Sequence, residues 1–319
     1  MKLVIQVPCL NEEHTLPLVL ESIPKKIEGI NEIVVLIIDD GSSDKTLEVA
    51  KKHGVKEIVH HTSNRGLGVS FQDGVNRALE IGADILVNTD GDNQYPQAQI
   101  GDLIKPIIDG QADIVIADRQ VHKIAHFSKA KKILQKVGSR VVNIAATTNL
   151  PDAASGFRAY SRESLIQLNV TARFSYTMET IIQAGNKKLA IVSVPVETNP
   201  KTRESRLFKS TPEHIAKSSF AIIRSYIMYR PYMIFIGLAI FLFLLCLIPF
   251  VRYYVFFLEG RHGQHVQSLL LGVALLLSSV MAVVLGVIAD LIRINRILNE
   301  ASLEHLKRIR FSKNKNLEQ

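Results

Sequence analysis

The chain has 319 residues, 47% of them apolar and 21% charged, which suits a large buried core and excludes general disorder. Its two cysteines, Cys9 and Cys246, exclude a disulfide framework and fit a reducing compartment for the soluble part. A net charge of +8 does not signal nucleic-acid binding: the basic residues gather around two apolar blocks and in the tail, where anionic lipid attracts them, and no helix-turn-helix, zinc-finger or RNA-binding aromatic pattern is present.

The N-terminus opens directly on a strand-like "KLVIQVP", with no cleavable signal peptide expected. From Lys2 to about Val196, short β-rich runs alternate with longer amphipathic ones. Strands are predicted at Leu3–Val7, Ile33–Ile38, Glu57–His60, Ile85–Asn88, Ile114–Ala117 and Leu189–Val194. Helices are predicted at Thr15–Ile27, Lys45–His53, Gly68–Ile81 and Ser128–Ala146. Alternation with near-continuous Val/Ile strands reads as an α/β domain with a mostly parallel sheet, whose ligands gather at the carboxyl ends of the strands.

Three predicted strands run into acidic loops: "VPCLNEE", "IIDDGSSDKT" and "NTDGDNQYP". Taken singly, Asn11, Ser43 and Asp44 are ordinary helix caps, and Asp90-Gly91-Asp92 is an ordinary turn. Taken together, the three loops converge on one rim. There Asp90 and Asp92 have the spacing to share a hard divalent cation, Mg2+ or Mn2+, which completes its shell with water and substrate phosphates. Asp39 and Asp40, acceptors only when ionised, suit ribose hydroxyls or a base edge. The combination points to a nucleoside diphosphate held through metal. No glycine-rich phosphate loop is present, and the G-x-G of "NRGLG" is by itself weak.

In order and spacing, "VPCLNEE", "IIDDGSSDKT", "NRGLGVSFQDGVNRAL", "NTDGDNQYP" and "DAASGFRAYSRE" resemble the family-2 glycosyltransferases. Among these they look most like the polyprenyl-phosphate glycosyltransferases, the group that contains the dolichyl-phosphate mannose synthases. The resemblance covers roughly Leu3 to Phe208 and implies a GT-A-like, Rossmann-like domain. It implies that Pro8, Asn11 and Glu12 line the base and ribose together with Asp39 and Asp40. By the same resemblance Asp90 and Asp92 are the metal pair, and Gln94 helps to hold the metal and diphosphate. Asp152 and Arg158 match residues near the acceptor phosphate and the transferred sugar, so that Asp92, Asp152 and Arg158 form the expected catalytic set. "TRESRLFKS" resembles a basic loop that closes over phosphates, through Arg203, Ser205 and Arg206. Two departures stand out: Leu67 where many relatives carry lysine, and Glu204 inside the basic loop. Glu179, on a predicted helix, faces either the site or solvent.

Two charge-free blocks follow, Tyr232–Phe250 and Ser268–Ala289, each close to the ~20 residues that span a bilayer as a helix. Arg224 and Arg230 precede the first; Arg293, Arg296, Lys307, Arg308, Arg310, Lys313 and Lys315 follow the second. The positive-inside rule then puts both termini and the catalytic domain in the cytoplasm. Ile215, Ser219, Ile222, Ile223, Tyr226 and Ile227 share one helical face, as in an interfacial helix leading into the first span. The expected organisation is a catalytic domain over 1–208, this helix over 209–230, a two-helix hairpin over 231–292 and a basic tail over 293–319. Gly272, Ala274, Ser278, Ser279, Ala282 and Gly286 suit helix–helix contact and self-association.

The expected reaction is inverting transfer of a sugar from a nucleoside-diphosphate sugar to a polyprenyl phosphate at the membrane. GDP-mannose and UDP-hexoses both remain open as donors. A phosphate acceptor is already largely dianionic at neutral pH, its second pKa being near ~6, so Asp152 serves either as a base or only to position groups. The alternatives are transfer to a glycan or protein hydroxyl, and a non-catalytic nucleotide-binding scaffold. A processive polysaccharide synthase is disfavoured, because the chain has no tryptophan for a Q-x-x-R-W motif.

Overall fold

A computed structural model describes residues 1–120, 129–173, 175–200, 231–260 and 266–312. The chain divides into two units, Met1–Ile223 with Ser302–Gln319, and Arg224–Ala301.

The first unit is built on seven strands: β1 (Lys2–Cys9), β2 (Glu32–Asp39), β3 (Glu57–His60), β4 (Ile85–Asn88), β5 (Ile114–Asp118), β6 (Arg158–Ser161) and β7 (Ile191–Pro195). They lie in the order β3-β2-β1-β4-β6-β5-β7. The pairs β1–β2, β2–β3, β1–β4 and β5–β7 are parallel, whereas β6 runs antiparallel to both β4 and β5. The parallel reading of the sheet therefore holds, with one reversed strand inserted. β1 is buried from Leu3 to Cys9, as expected for a central strand covered on both faces.

Among the described residues, seven helices flank this sheet: α1 (Leu16–Ser22), α2 (Thr46–Lys52), α3 (Leu67–Glu80), α4 (Ile100–Ile108), α5 (Lys129–Ala146), α6 (Arg162–Gln167) and α7 (Thr177–Asn186). α1 ends five residues before the predicted Ile27. Pro24 disfavours helical backbone at Ile23, which is extended (φ −65°, ψ 125°). Leu16, Val19, Ile100, Leu103 and Ile104 from α1 and α4 pack in one cluster with Leu3, Ile5 and Val7. Truncating a fully buried member such as Ile104 to alanine is expected to cost about 2–5 kcal/mol.

The topology positions the site. From β1 the chain steps outward to β2 and β3, then crosses back to place β4 on the other side of β1. The crevice at the carboxyl ends of β1 and β4 is thus a topological switch point, the usual ligand site of such sheets.

The second unit contains α8 (Pro231–Leu258) and most of α9 (Val266–Ser312), both long and apolar enough to cross a membrane. Large apolar side chains, among them Phe241, Ile248, Leu270 and Leu277, are exposed to the surroundings rather than packed inside. Gly272 and Gly286 lie against Phe250 and Phe235, and Ser279 Oγ donates to the Ala239 carbonyl at 2.9 Å. These small residues serve the hairpin's own packing, so they give no support to self-association.

α9 continues beyond the apolar block to Ser312, and its last turns belong to the first unit. There Phe311 is buried, Lys307 Nζ donates to the Leu168 carbonyl at 2.8 Å, Arg308 pairs with Glu163 and Glu304, and Arg310 pairs with Glu80. Those cations are engaged by the first unit itself. The expected interfacial helix, residues 209–230, lies outside the described residues.

Candidate active site

Pro8 and Cys9 end β1, and the loop beyond them is laced to the loop after β2. Asn11, with φ 57°, accepts from the Ser43 N–H at 2.8 Å and donates its own N–H to Ser42 Oγ at 2.9 Å. Glu12 donates its N–H to Thr46 Oγ1 and accepts from Thr15 Oγ1. These bonds give Asn11 and Glu12 a loop-building part beside any contact with ligand. Cys9 has its thiol pushed well up by burial, with Glu12, Asp39 and Asp90 adding to the effect, so it is no nucleophile.

The two carboxylates at the end of β2 differ from the expectation that both meet the nucleoside. Asp39 has no exposed surface; its oxygens accept from the Ser42 N–H at 3.2 Å and face His60 Nδ1 at 2.7 Å. Asp40 Oδ1 accepts from the Arg65 N–H and faces His61 Nδ1, both at 2.8 Å, while Oδ2 accepts from the Gly66 N–H at 2.9 Å. His61 bridges Asp40 to Asp73. Asp40 thus organises the "NRGLG" loop from within.

Asp90 and Asp92 occupy the turn that leaves β4. Asp92 Oδ1 accepts from the Gln94 N–H at 3.1 Å, an Asx turn through Asn93, whose φ is 58°. Gly91 is pressed against the end of β1: a side chain there would begin 3.2 Å from Cys9 Sγ and Glu12 Cγ, and 3.4 Å from the Pro8 carbonyl. The turn reading and the metal reading describe the same geometry. Asp90 in turn lies against Gly156, where an added Cβ would meet its Oδ2 at 3.2 Å. Among the described residues no group of three His, Cys, Asp or Glu side chains forms a metal cage. Two hard carboxylates on one tight turn nevertheless fit an ion such as Mg2+ or Mn2+ that takes its other ligands from a diphosphate and water.

The loop from Asp152 to Arg158 faces this turn and is fixed at Gly156. Its N–H donates to Tyr95 Oη at 3.0 Å, and its carbonyl accepts from Asn88 Nδ2 at 3.1 Å and Tyr176 Oη at 2.9 Å. Burial pushes the Tyr95 and Tyr176 hydroxyls up, so both stay protonated and serve as hydrogen-bonding groups.

Arg158 has a structural part that its motif does not announce. Its guanidinium has no exposed surface and donates to the carbonyls of Ser155 (2.7 Å), Thr177 (2.8 Å) and Ala153 (2.9 Å) and to Thr180 Oγ1 (2.8 Å). Those bonds fold its own loop onto α7. Among the described residues, Arg119, one residue beyond β5, is a cation beside the site. It binds Asp152 bidentately, Nε to Oδ2 at 2.6 Å and Nη2 to Oδ1 at 3.0 Å. Burial opposes its charge, and the carboxylates of Asp152 and Asp90 outweigh that opposition and raise its pKa. Sequence reasoning missed it by stopping at the "SGFR" motif. The rule applied to the acidic loops, polar residues just past a strand's carboxyl end, finds it in "IVIADRQ".

Glu179 faces neither solvent nor the rim. It is buried and accepts from Thr171 Oγ1 (2.8 Å) and the Ala172 N–H (2.9 Å), holding the segment whose Arg173 carbonyl accepts from the Gly68 N–H. Asn199, also missed, ties the approach to the basic loop to the acidic turn. Its N–H donates to the Gln94 carbonyl and its Nδ2 to the Asn93 carbonyl, both at 3.0 Å. Arg203, Ser205 and Arg206 themselves lie outside the described residues.

Known proteins share the family and the fold. The family described as Glycosyl transferase family 2 matches residues 4–168. The undecaprenyl-phosphate mannosyltransferase of Micrococcus luteus is 28% identical over 206 residues, covering 61% of this chain and 83% of that protein. The UDP-N-acetylglucosamine–dolichyl-phosphate N-acetylglucosaminyltransferase of Methanococcus voltae is 28% identical over 215 residues, covering 60% and 83%. Among solved structures, glucosyl-3-phosphoglycerate synthase from Mycobacterium tuberculosis, in complex with Mn2+, uridine diphosphate and glucosyl-3-phosphoglycerate, superposes with a TM-score of 0.54 at 22% identity. It covers 71% of this chain and 78% of that one, a likeness of fold.

Proposed function

The chain belongs to glycosyltransferase family 2, with a GT-A-like catalytic domain, and we propose that it transfers a sugar from a nucleoside-diphosphate sugar to the phosphate of a membrane-held polyprenol. The observation that carries this reading is the opposition of two groups at the switch point: the Asp90–Asp92 turn after β4, and the Arg119–Asp152 pair beside it. The two long apolar helices support it, because a polyprenyl tail stays in the bilayer. The names of the relatives from Micrococcus and Methanococcus support the lipid-phosphate class.

A divalent cation held by Asp90 and Asp92 would neutralise the charge that grows on the departing nucleoside diphosphate. The chain's own residues orient the incoming phosphate. Arg119 uses two of its five N–H donors on Asp152, and the remaining ones suit phosphate oxygens. Asp152, held in a bidentate ion pair, acts as a positioning group. The acceptor needs little help from a base, since its second pKa is near ~6. A hydroxyl acceptor would need that base, which is why the lipid phosphate is preferred. Direct attack at the anomeric carbon inverts its configuration. Arg203 follows Asn199 by four positions in the chain, a reach of at most about 14 Å. Arg203, Ser205 and Arg206 therefore belong with the phosphates in this proposal, and the catalytic domain and both termini with the cytoplasmic face.

The test is radiolabelled transfer from GDP-mannose, UDP-glucose and UDP-N-acetylhexosamines, with Mn2+ and a polyprenyl phosphate in detergent. Label in the solvent-extractable lipid, with inverted anomeric configuration, is the expected result. Label that reaches only glycan or protein hydroxyls, or a product retaining the donor's configuration, would overturn the proposal.

A further inference from the structure

β3 closes the sheet on one edge, and its last residue, His60, stands beside Asp39 in the parallel register. His60 Nδ1 is 2.7 Å from Asp39 Oδ2, and the two side chains are unequally accessible: 46% of His60 is exposed and none of Asp39. The other Asp39 oxygen accepts from the Ser42 N–H. A nucleoside arriving at the ends of β2 and β3 therefore meets the imidazole first, with the carboxylate behind it. His61, the next residue, is buried between Asp40 and Asp73. The two adjacent histidines thus have different parts, one structural and one presented at the rim.

To donate to a carboxylate, Nδ1 must carry the ring proton, and in the neutral imidazole Nε2 is then left with a lone pair. A carboxylate behind a histidine fixes the ring's orientation and tautomer, as it does for metal-bound imidazoles. An acceptor at the base site selects for donors on the base. Uracil and guanine carry a ring N–H on their pairing edge, at N3 and N1. The matching ring nitrogens of cytosine and adenine are acceptors.

Resting on the glycosyltransferase reading, we propose that His60 reads the donor's base: its Nε2, oriented by Asp39, accepts the ring N–H of a uracil or guanine nucleotide. This moves base recognition from the buried carboxylate to the histidine it holds. Asp39 becomes a positioning residue.

Titration calorimetry on the full chain in detergent with Mn2+ tests the proposal. The probes are UDP, GDP and their 3-methyluridine and 1-methylguanosine counterparts, which lack the N–H. Wild type is expected to bind the preferred parent nucleotide about tenfold more tightly than its methylated form, the scale of one hydrogen bond. His60→Phe is expected to lose about tenfold for the parent nucleotide and nothing further on methylation. His60→Gln, whose amide oxygen is again an acceptor, is expected to recover part of the discrimination. Equal methylation penalties in wild type and His60→Phe overturn the proposal, because a steric clash or a ribose contact behaves that way. Wild type indifferent to methylation overturns it without recourse to any variant. Failure of wild type to bind either parent nucleotide overturns the glycosyltransferase reading itself, a result distinct from the others because no base then matters.

Discussion

The part of the sheet proposed to hold the donor (the donor half, β1 to β4) and the part proposed to meet the acceptor (the acceptor half, β5 to α7) handle their charged side chains differently. On the donor half the acids of one loop after β2 are turned inward, Asp39 onto His60 and Asp40 onto the Arg65–Gly66 backbone, while the next acidic loop presents the Asp90–Asp92 turn. On the acceptor half the arginine inside the recognisable motif, Arg158, is an internal brace, and the arginine outside it, Arg119, stands at the rim. Motif membership identifies the loop that matters. The hydrogen-bond partners decide which side chain in that loop can reach a ligand.

Replacing Asp92 with alanine gives the largest expected effect. Transfer should fall by about 10²–10³, or about 3–4 kcal/mol of transition-state stabilisation, with metal-dependent donor binding lost and the thermal midpoint little changed. Undiminished Mn2+-dependent nucleotide binding in that variant would remove the metal from the donor half. The acceptor half is tested by a pair of arginine substitutions. Arg119→Met should lower transfer by about 10² while the protein folds. Arg158→Met should instead lower stability by about 3 kcal/mol, because several buried carbonyls lose their donor. Urea unfolding and initial rates separate the two, and a stable but inactive Arg158→Met would reverse their roles.

Asn199→Ala probes the tie between the basic segment and the acidic turn. Removing its Nδ2 bond should cost about 1 kcal/mol, seen as a several-fold rise in KM for the donor with a smaller change in kcat. The smallest effect lies away from both halves, at Lys307. Burial, with help from Lys187, pushes its pKa down to about 8, below the ~10.4 of a free lysine. Between about pH 8 and pH 10 the unfolded chain then holds more protons than the native one, so stability rises with pH across that window. The thermal midpoint should show this rise in wild type, and Lys307→Met should lose that part of it.

How much of this was legible in the sequence follows from what sequence patterns encode. β1 to β5 were readable because buried parallel strands are written as runs of valine and isoleucine, and each acidic cluster falls at a strand end. β6 was hidden: "RAYS" is four residues long, runs antiparallel and has no apolar run. α4 was missed, with Pro106 inside its nine residues obscuring the pattern. The site was legible as a set of loops but less so as a set of side chains. Nothing in "SGFR" tells whether a guanidinium faces a phosphate or its own backbone carbonyls. The docking of residues 302–312 was also invisible, since lysines and arginines after an apolar span read equally well as lipid contacts.

Asp40 has a consequence for the chemistry of its neighbourhood. Successive backbone N–H groups at Arg65 and Gly66 form a small concavity of the kind that captures anions, and the carboxylate of Asp40 already occupies it. The protein carries a resident anion where a nucleotide-binding loop of another design would receive a phosphate. A free diphosphate arriving there is met by negative charge rather than by open donors. Under the metal reading proposed for Asp90 and Asp92, nucleotide affinity depends on the cation supply, and a chelator is expected to release the product nucleotide.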